Sequence, residues 1–195
     1  EMCIRDSIDT RLPEIIAYIK QDSSARAEIN TNGNALTEKT AAALIEAGID
    51  LVRFSIDAFS AETYEKDRVG LDYGRVVKNI ERFAAMARES ERQIVTEVRM
   101  IDMESNRHEQ RDYLDFWNAR VDRALIVPLY NWPWTEGVSM VRKPCIKMRE
   151  EMFFYTDGRA VLCCWDIAGR AVIGNVNEES VLDIWNGERR LRYAD

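Results

Sequence analysis

What most restricts the fold of this chain is an alternation of two hydrophobic periods. Short runs of β-branched and aromatic residues are followed, again and again, by stretches whose apolar residues recur every three or four positions. Leu12, Ile15, Ile16 and Ile19 share one helical face, with Pro13 where a first turn tolerates it. Arg26 to Asn32 reads as a strand closing on an Asn32-Gly33 turn, and Thr37 caps a helix that Gly48 stops. A second strand spans Leu51 to Asp57. A short helical piece comes next at Ala61 to Arg68, then a longer helix from Tyr73 to about Glu89, whose stripe is Val76, Val77, Ile80, Phe83, Ala84 and Ala87. Ile94 to Ile101 is a third strand, Glu109 to Ala119 a helix with Tyr113, Leu114, Phe116 and Trp117 on its apolar side, and Ala124 to Tyr130 a fourth strand. Four such alternations predict an α/β fold of βα units wound right-handed around a parallel sheet. The pattern alone does not separate an open sheet from part of a barrel. In either, functional groups belong at the carboxyl ends of the strands: Asn30 to Gly33, Ser55 to Asp57, Arg99 to Met103 and Tyr130 to Trp132.

Beyond Trp134 the texture changes. Thr135 to Lys143 is loop-like, Met152 to Tyr155 and Ala160 to Leu162 flank Thr156-Asp157-Gly158 as a hairpin, and Val181 to Arg192 reads as an amphipathic helix built on Val181, Leu182, Ile184 and Trp185. Two domains are therefore expected, residues 8–136 and 137–195. The 27 Lys and Arg against 34 Asp and Glu give a net charge of -7 with no basic cluster, which argues against nucleic acid as a partner. No apolar run is long enough to cross a bilayer and no signal peptide opens the chain, so no membrane is expected and the cytoplasm is the default compartment. Glu1 to Ser7 show no pattern continuous with the helix that begins at Leu12.

The cysteines stand at 3, 145, 163 and 164, a poor start for a disulfide framework. Cys145 is followed by Gly158 after twelve residues and by Cys163 after four more. The antiparallel arms of a hairpin can bring Cys145 and Cys163 to one end, where thiolates suit zinc or an iron-sulfur cluster. Adjacent Cys163 and Cys164 point to opposite faces of a strand and are not expected to share a metal. Buried free thiols are the other reading of the same residues. His108 reads as a surface residue near a helix start.

Cys-x12-Gly-x4-Cys running on as Cys-Trp-Asp, then Gly174-Asn175-Val176 and Asp183-Ile184-Trp185-Asn186, resembles the start of the SPASM domain, the auxiliary iron-sulfur module of many radical S-adenosylmethionine (radical SAM) enzymes. Upstream, Thr31-Asn32-Gly33, Ala47-Gly48-Ile49-Asp50, Phe54-Ser55-Ile56-Asp57, Tyr64 with Arg68, and Asn79-Ile80 resemble the middle of the radical SAM partial barrel. Asn106-x2-Glu109, Phe116-Trp117 and Val121-Asp122 are similar to members that carry SPASM. The resemblance implies a partial radical SAM barrel of about four βα units followed by a small hairpin-plus-helix SPASM-like domain. It implies an auxiliary 4Fe-4S cluster on Cys145 and Cys163. It also implies an S-adenosylmethionine site in which Ser55 meets the ribose and Arg68 the carboxylate, with Asp57 and Asn32 lining the same mouth.

For Asp57 and Asn32 the alternative is turn and cap chemistry; for Arg68 it is a solvated helix charge. Glu97 and Arg99 alternate on one face of the third strand, where a barrel interior would bury them as a pair. Tyr130, Trp132 and Trp134 suit a core or interface more than a substrate platform. The Cys-x3-Cys-x2-Cys loop that holds the catalytic cluster in the family is not in this sequence, and Ala58 stands where Gly commonly follows Ser-Ile-Asp.

The chain accordingly reads as an internal piece of a longer enzyme, inactive alone. Its parent would bind S-adenosylmethionine and a second 4Fe-4S cluster, take electrons from a flavodoxin or ferredoxin, and use a 5'-deoxyadenosyl radical on a peptide, sugar or small molecule. The competing readings are a non-catalytic zinc- or iron-sulfur-binding scaffold module and an ordinary α/β enzyme with core thiols.

Overall fold

The computed structural model describes residues 9–21, 24–129 and 146–193. The chain divides into two compact units, Glu1–Leu129 and Tyr130–Asp195. The boundary expected at 136/137 lies outside the described residues.

In the first unit β1 (Glu28–Thr31), β2 (Leu51–Ser55), β3 (Val95–Asp102) and β4 (Arg123–Pro128) form a sheet in sequential order. All three pairings are parallel. The connecting helices are α2 (Glu38–Ala47), α3 (Ala61–Asp67), α4 (Tyr73–Glu89) and α5 (Gln110–Asn118), with α1 (Leu12–Gln21) ahead of β1. Their limits are set by local chemistry. The Thr37 hydroxyl accepts the Thr40 amide, Ser60 that of Thr63 and Asp72 that of Arg75. Gly48, at φ 91°, closes α2 by donating its N–H to Ile45 and Leu44.

Strand alternation gives the sheet two unlike faces. Ile29, Val52, Phe54, Ile56, Val98, Met100 and Ala124 join Leu44, Ile80, Phe83, Tyr113 and Trp117 in one buried cluster under the helices. The opposite face carries Glu28, Arg53, Ser55, Glu97, Arg99, Arg123 and Leu125 at alternating positions.

The second unit holds α6 (Lys147–Glu150) and an antiparallel sheet of β5 (Phe153–Phe154), β6 (Arg159–Val161) and β7 (Val172–Asn175). Its chain ends in α7 (Val181–Asn186) and α8 (Glu188–Leu191). The hairpin turns where expected: Gly158, at φ 89°, donates to the Tyr155 carbonyl at 3.0 Å. β7 was not anticipated as a strand, because the short segment around Gly174 carries too little alternation. The expected single tail helix breaks at Gly187, whose backbone is extended at φ -69°, ψ 145°. Of its proposed apolar stripe Ile184 is buried with Ala160, Leu162 and Ile173, while Val181 and Leu182 are exposed. Among the described residues no helix is long and apolar enough to cross a membrane.

Candidate functional site

The end of β2 delivers Ser55 and, two residues on, Asp57. Asp57 is buried, and both its oxygens are committed: Oδ1 accepts the Ile101 amide at 2.9 Å and Oδ2 accepts Nε of Arg68 at 3.1 Å together with Nη2 of the same guanidinium. Arg68 follows α3 as its C-cap, so the ion pair closes the loop between β2 and α3. Arg68 is therefore not a solvated helix charge, and Asp57 acts on it rather than on open solvent. Beside them, burial pushes the Tyr64 hydroxyl up to about 12, which keeps it neutral.

That loop is pinned from the other side by the connection between β3 and α5. Fully buried Asn106 donates Nδ2 to the carbonyls of Asp57 at 2.7 Å and Ile101 at 2.8 Å, and accepts the Met103 amide at 3.0 Å. Glu109 takes the Phe59 amide at 2.8 Å, the Ser60 amide at 3.3 Å, the Thr63 hydroxyl at 2.7 Å and the Ser60 hydroxyl. Burial raises the Glu109 pKa, but these donors outweigh it and hold the carboxyl below its ordinary range. Asn106-x2-Glu109 is thus a clamp that fixes the main chain bearing Asp57. Its partners lie about fifty residues upstream, out of reach of any local sequence signal.

Asn32 is buried and its Oδ1 accepts the Asn34 amide at 3.0 Å, an Asx turn, while Thr31 Oγ1 accepts the Gly33 amide at 3.1 Å. Asn79 of α4 holds the turn by donating to the Gly33 carbonyl at 2.8 Å, and Arg82 ties Asn79 Oδ1 to the Leu36 carbonyl. A Cβ on Gly33 would lie 3.3 Å from the Phe54 ring at φ 73°, so glycine suits both the space and the backbone. Asn32 and Ser55 lie at the ends of neighbouring strands, and Asp57 and Arg68 come in the next loop.

The polar face of the sheet, its floor, is more charged than the sequence suggested. Glu97 is 2% exposed and meets three arginines: Arg99 Nε at 2.6 Å, Arg53 Nε at 3.2 Å and Arg123 Nη1 at 3.7 Å. Arg53 also reaches Glu28 at 2.7 Å. The Glu97–Arg99 pair was anticipated. Arg53, Arg123 and Glu28 were missed, although register puts Glu97 opposite both Arg53 and Arg123.

In the second unit the loop after β6 carries Cys163, Cys164 and Asp166. The Trp165 amide donates to Cys163 Sγ at 3.4 Å, the kind of hydrogen bond a metal-bound sulfur accepts. Asp166 closes the loop by accepting the Arg170 amide at 2.8 Å and the Ala171 amide at 2.7 Å; burial opposes its charge, yet these donors keep its pKa low. Burial, then the neighbouring Cys163, push the Cys164 thiol up, so Cys164 stays protonated near neutral pH. β6 ends at Val161, so the two adjacent cysteines lie in the loop after it rather than on opposite faces of a strand as expected. Gly158 belongs to the same frame, since a Cβ there would lie 2.7 Å from Asn175 Oδ1. Cys145, Tyr130, Trp132 and Trp134 lie outside the described residues, and His108 is exposed as expected. Among the described residues no three His, Cys, Asp or Glu are grouped to hold a metal ion. Of the two cysteines expected to hold a cluster, Cys163 alone lies among the described residues.

Residues 145–194 match the SPASM family model, an iron-sulfur cluster-binding domain. A probable GTP 3',8-cyclase of Methanococcus maripaludis is 42% identical over 73 residues, which are 37% of this chain and 24% of that protein. Streptococcus suis SuiB superposes with a TM-score of 0.71 at 11% identity, over 94% of this chain and 54% of SuiB. The AdoMet-bound anSMEcpe structure gives 0.68 at 13% identity, over 94% and 60%. The matched stretch is about a quarter of the curated cyclase, and the chain covers about half of SuiB. The chain thus carries a SPASM iron-sulfur cluster-binding domain following an α/β unit with the fold of radical SAM enzymes.

Proposed function

We propose that the chain is part of a radical SAM enzyme that holds an auxiliary 4Fe-4S cluster through Cys145 and Cys163 and binds S-adenosylmethionine at the end of β2. The observation that carries this reading is the Cys163 loop, with its amide-to-sulfur bond, inside a stretch that matches the SPASM model. When bound, S-adenosylmethionine and a reducing cluster supply hydrogen-atom abstraction chemistry; the protein binds, orients and excludes water. Ser55 offers its hydroxyl to the ribose and Arg68 its guanidinium to the carboxylate. Asp57, with both oxygens occupied, positions Arg68. Asn32 shapes the adjoining turn and lines the mouth.

The substrate we propose is a peptide or another small molecule, supported by SuiB, a fold neighbour whose structure is bound to its precursor peptide. The parent would act in the cytoplasm, with a reductant of the flavodoxin or ferredoxin class. The division of labour would be residues 8–136 for the cofactor and 137–195 for the auxiliary cluster.

Anaerobic reconstitution of the full chain with iron and sulfide tests the cluster. The expected product is brown, with iron and sulfide bound in equal amounts; Cys163→Ser abolishes this and Cys164→Ser retains it. A colourless protein that takes up zinc alone overturns the reading, as does equal loss in both variants.

A further inference from the structure

We propose that the polar floor of the first unit is a binding site for an anionic group of the substrate, a carboxylate or a phosphate, with Arg99 as the residue that grips it. This rests on the proposed function and deepens it by giving the substrate a charge. Three guanidinium groups, of Arg53, Arg99 and Arg123, share the buried carboxylate of Glu97, and among the described residues only Arg53 of the three has a second carboxylate, Glu28, which Arg26 also approaches at 3.5 Å. The floor thus carries excess positive charge in a chain whose net charge is -7.

Arg99 is built for the task. Glu97 holds its Nε at 2.6 Å, which orients the guanidinium, while Nη1 and Nη2 meet no partner among the described residues and the side chain is 40% exposed. A guanidinium fixed by one edge and open along the other presents two parallel donors, the geometry that carboxylate and phosphate oxygens match. Its register partner is Ser55, so the open edge belongs to the same strand ends as the proposed cofactor site. Arg123, 57% exposed and 3.7 Å from Glu97, adds charge from the neighbouring strand. A structural salt bridge alone would need one arginine per carboxylate; the surplus arginines and the open fork are what an incoming anion would complete.

Calorimetric titration of the full chain at low ionic strength, with pyrophosphate and separately with glutarate, tests this without any iron-sulfur cluster. Its outcome is therefore independent of cluster uptake. At least one probe is expected to bind with one-to-one stoichiometry. Arg99→Gln should weaken it tenfold or more, about 1.4 kcal/mol, and Arg99→Lys, which keeps the charge but loses the fork, should weaken it less. Arg111→Gln, on the exposed side of α5, should change nothing. Binding of glutarate alone identifies a carboxylate-bearing substrate, of pyrophosphate alone a phosphate-bearing one, and of both a site for either. If neither binds, if Arg99→Gln and Arg99→Lys bind as tightly as the parent, or if Arg111→Gln weakens binding equally, the proposal fails. Thermal unfolding by circular dichroism confirms that each variant is folded, and Arg99→Lys decides the matter should Arg99→Gln not be.

Discussion

Glu109 shows how one side chain can fix a distant loop. Its four donors come from Phe59, Ser60 and Thr63, and they lower its folded pKa despite burial. An unfolded Glu titrates near about 4.3, so the stability that Glu109 contributes is complete above that value and is lost as pH falls through its lower folded pKa. Glu109→Gln is expected to cost about 1–3 kcal/mol at neutral pH and to flatten this part of the acid dependence. Urea unfolding of both proteins at pH 7 and below pH 4 checks it, and an unchanged pH profile would show that the clamp carries no such charge. Asn106→Ala should destabilise by a similar amount, about 2–3 kcal/mol, because it orphans the Asp57 and Ile101 carbonyls and the Met103 amide together. In the sequence Asn106-x2-Glu109 was legible only as a pattern shared with a family. Cys163 and Cys164 were expected on opposite faces of a strand, but β6 ends at Val161 and both lie in the loop that follows it.

The caps and stripes that set helices α2 and α4 are local, and the sequence placed them closely: Thr37, Gly48 and the Tyr73–Glu89 limits all hold. Where packing decides, local reading failed. β7 exists because it pairs with β6 and lies under α7, where Ile184 fills the space above Gly174. A Cβ on Gly174 would lie 2.6 Å from Ile184 Cγ1. Gly174→Ala should therefore cost about 1–3 kcal/mol through overpacking, and the same substitution should cost less in an Ile184→Ala background, which lacks both γ carbons. Denaturant midpoints of the four proteins measure the coupling, and simple additivity would refute this account of the contact. At Gly187, where α7 ends, a Cβ would lie 2.9 Å from the Asp183 carbonyl oxygen.

Two compact units with separate cores imply that a ligand of one is felt first in that one. Cluster binding stabilises by mass action the unit that binds it. Hydrogen exchange before and after anaerobic reconstitution should show increased protection in β6 and β7 and little change in β2 and β3, and stripping the metal with a chelator should reverse it. Protection that rises equally in β2 and β3 would contradict this localisation. Net charge and the absence of long apolar runs were whole-chain properties visible at once. The surplus positive charge of the sheet floor, opposite in sign to the chain as a whole, was not.

By itself the sequence determined the order and type of the main elements, the parallel α/β class, the hairpin at Gly158 and the spacing of Cys145 and Cys163, because periodicity, capping and turn chemistry act over a few residues. Only the tertiary structure decided that Asp57 faces Arg68, that Glu109 clamps their loop, and that three arginines converge on Glu97. Those contacts join different strands and helices, and each depends on register and crossover geometry that no local window contains.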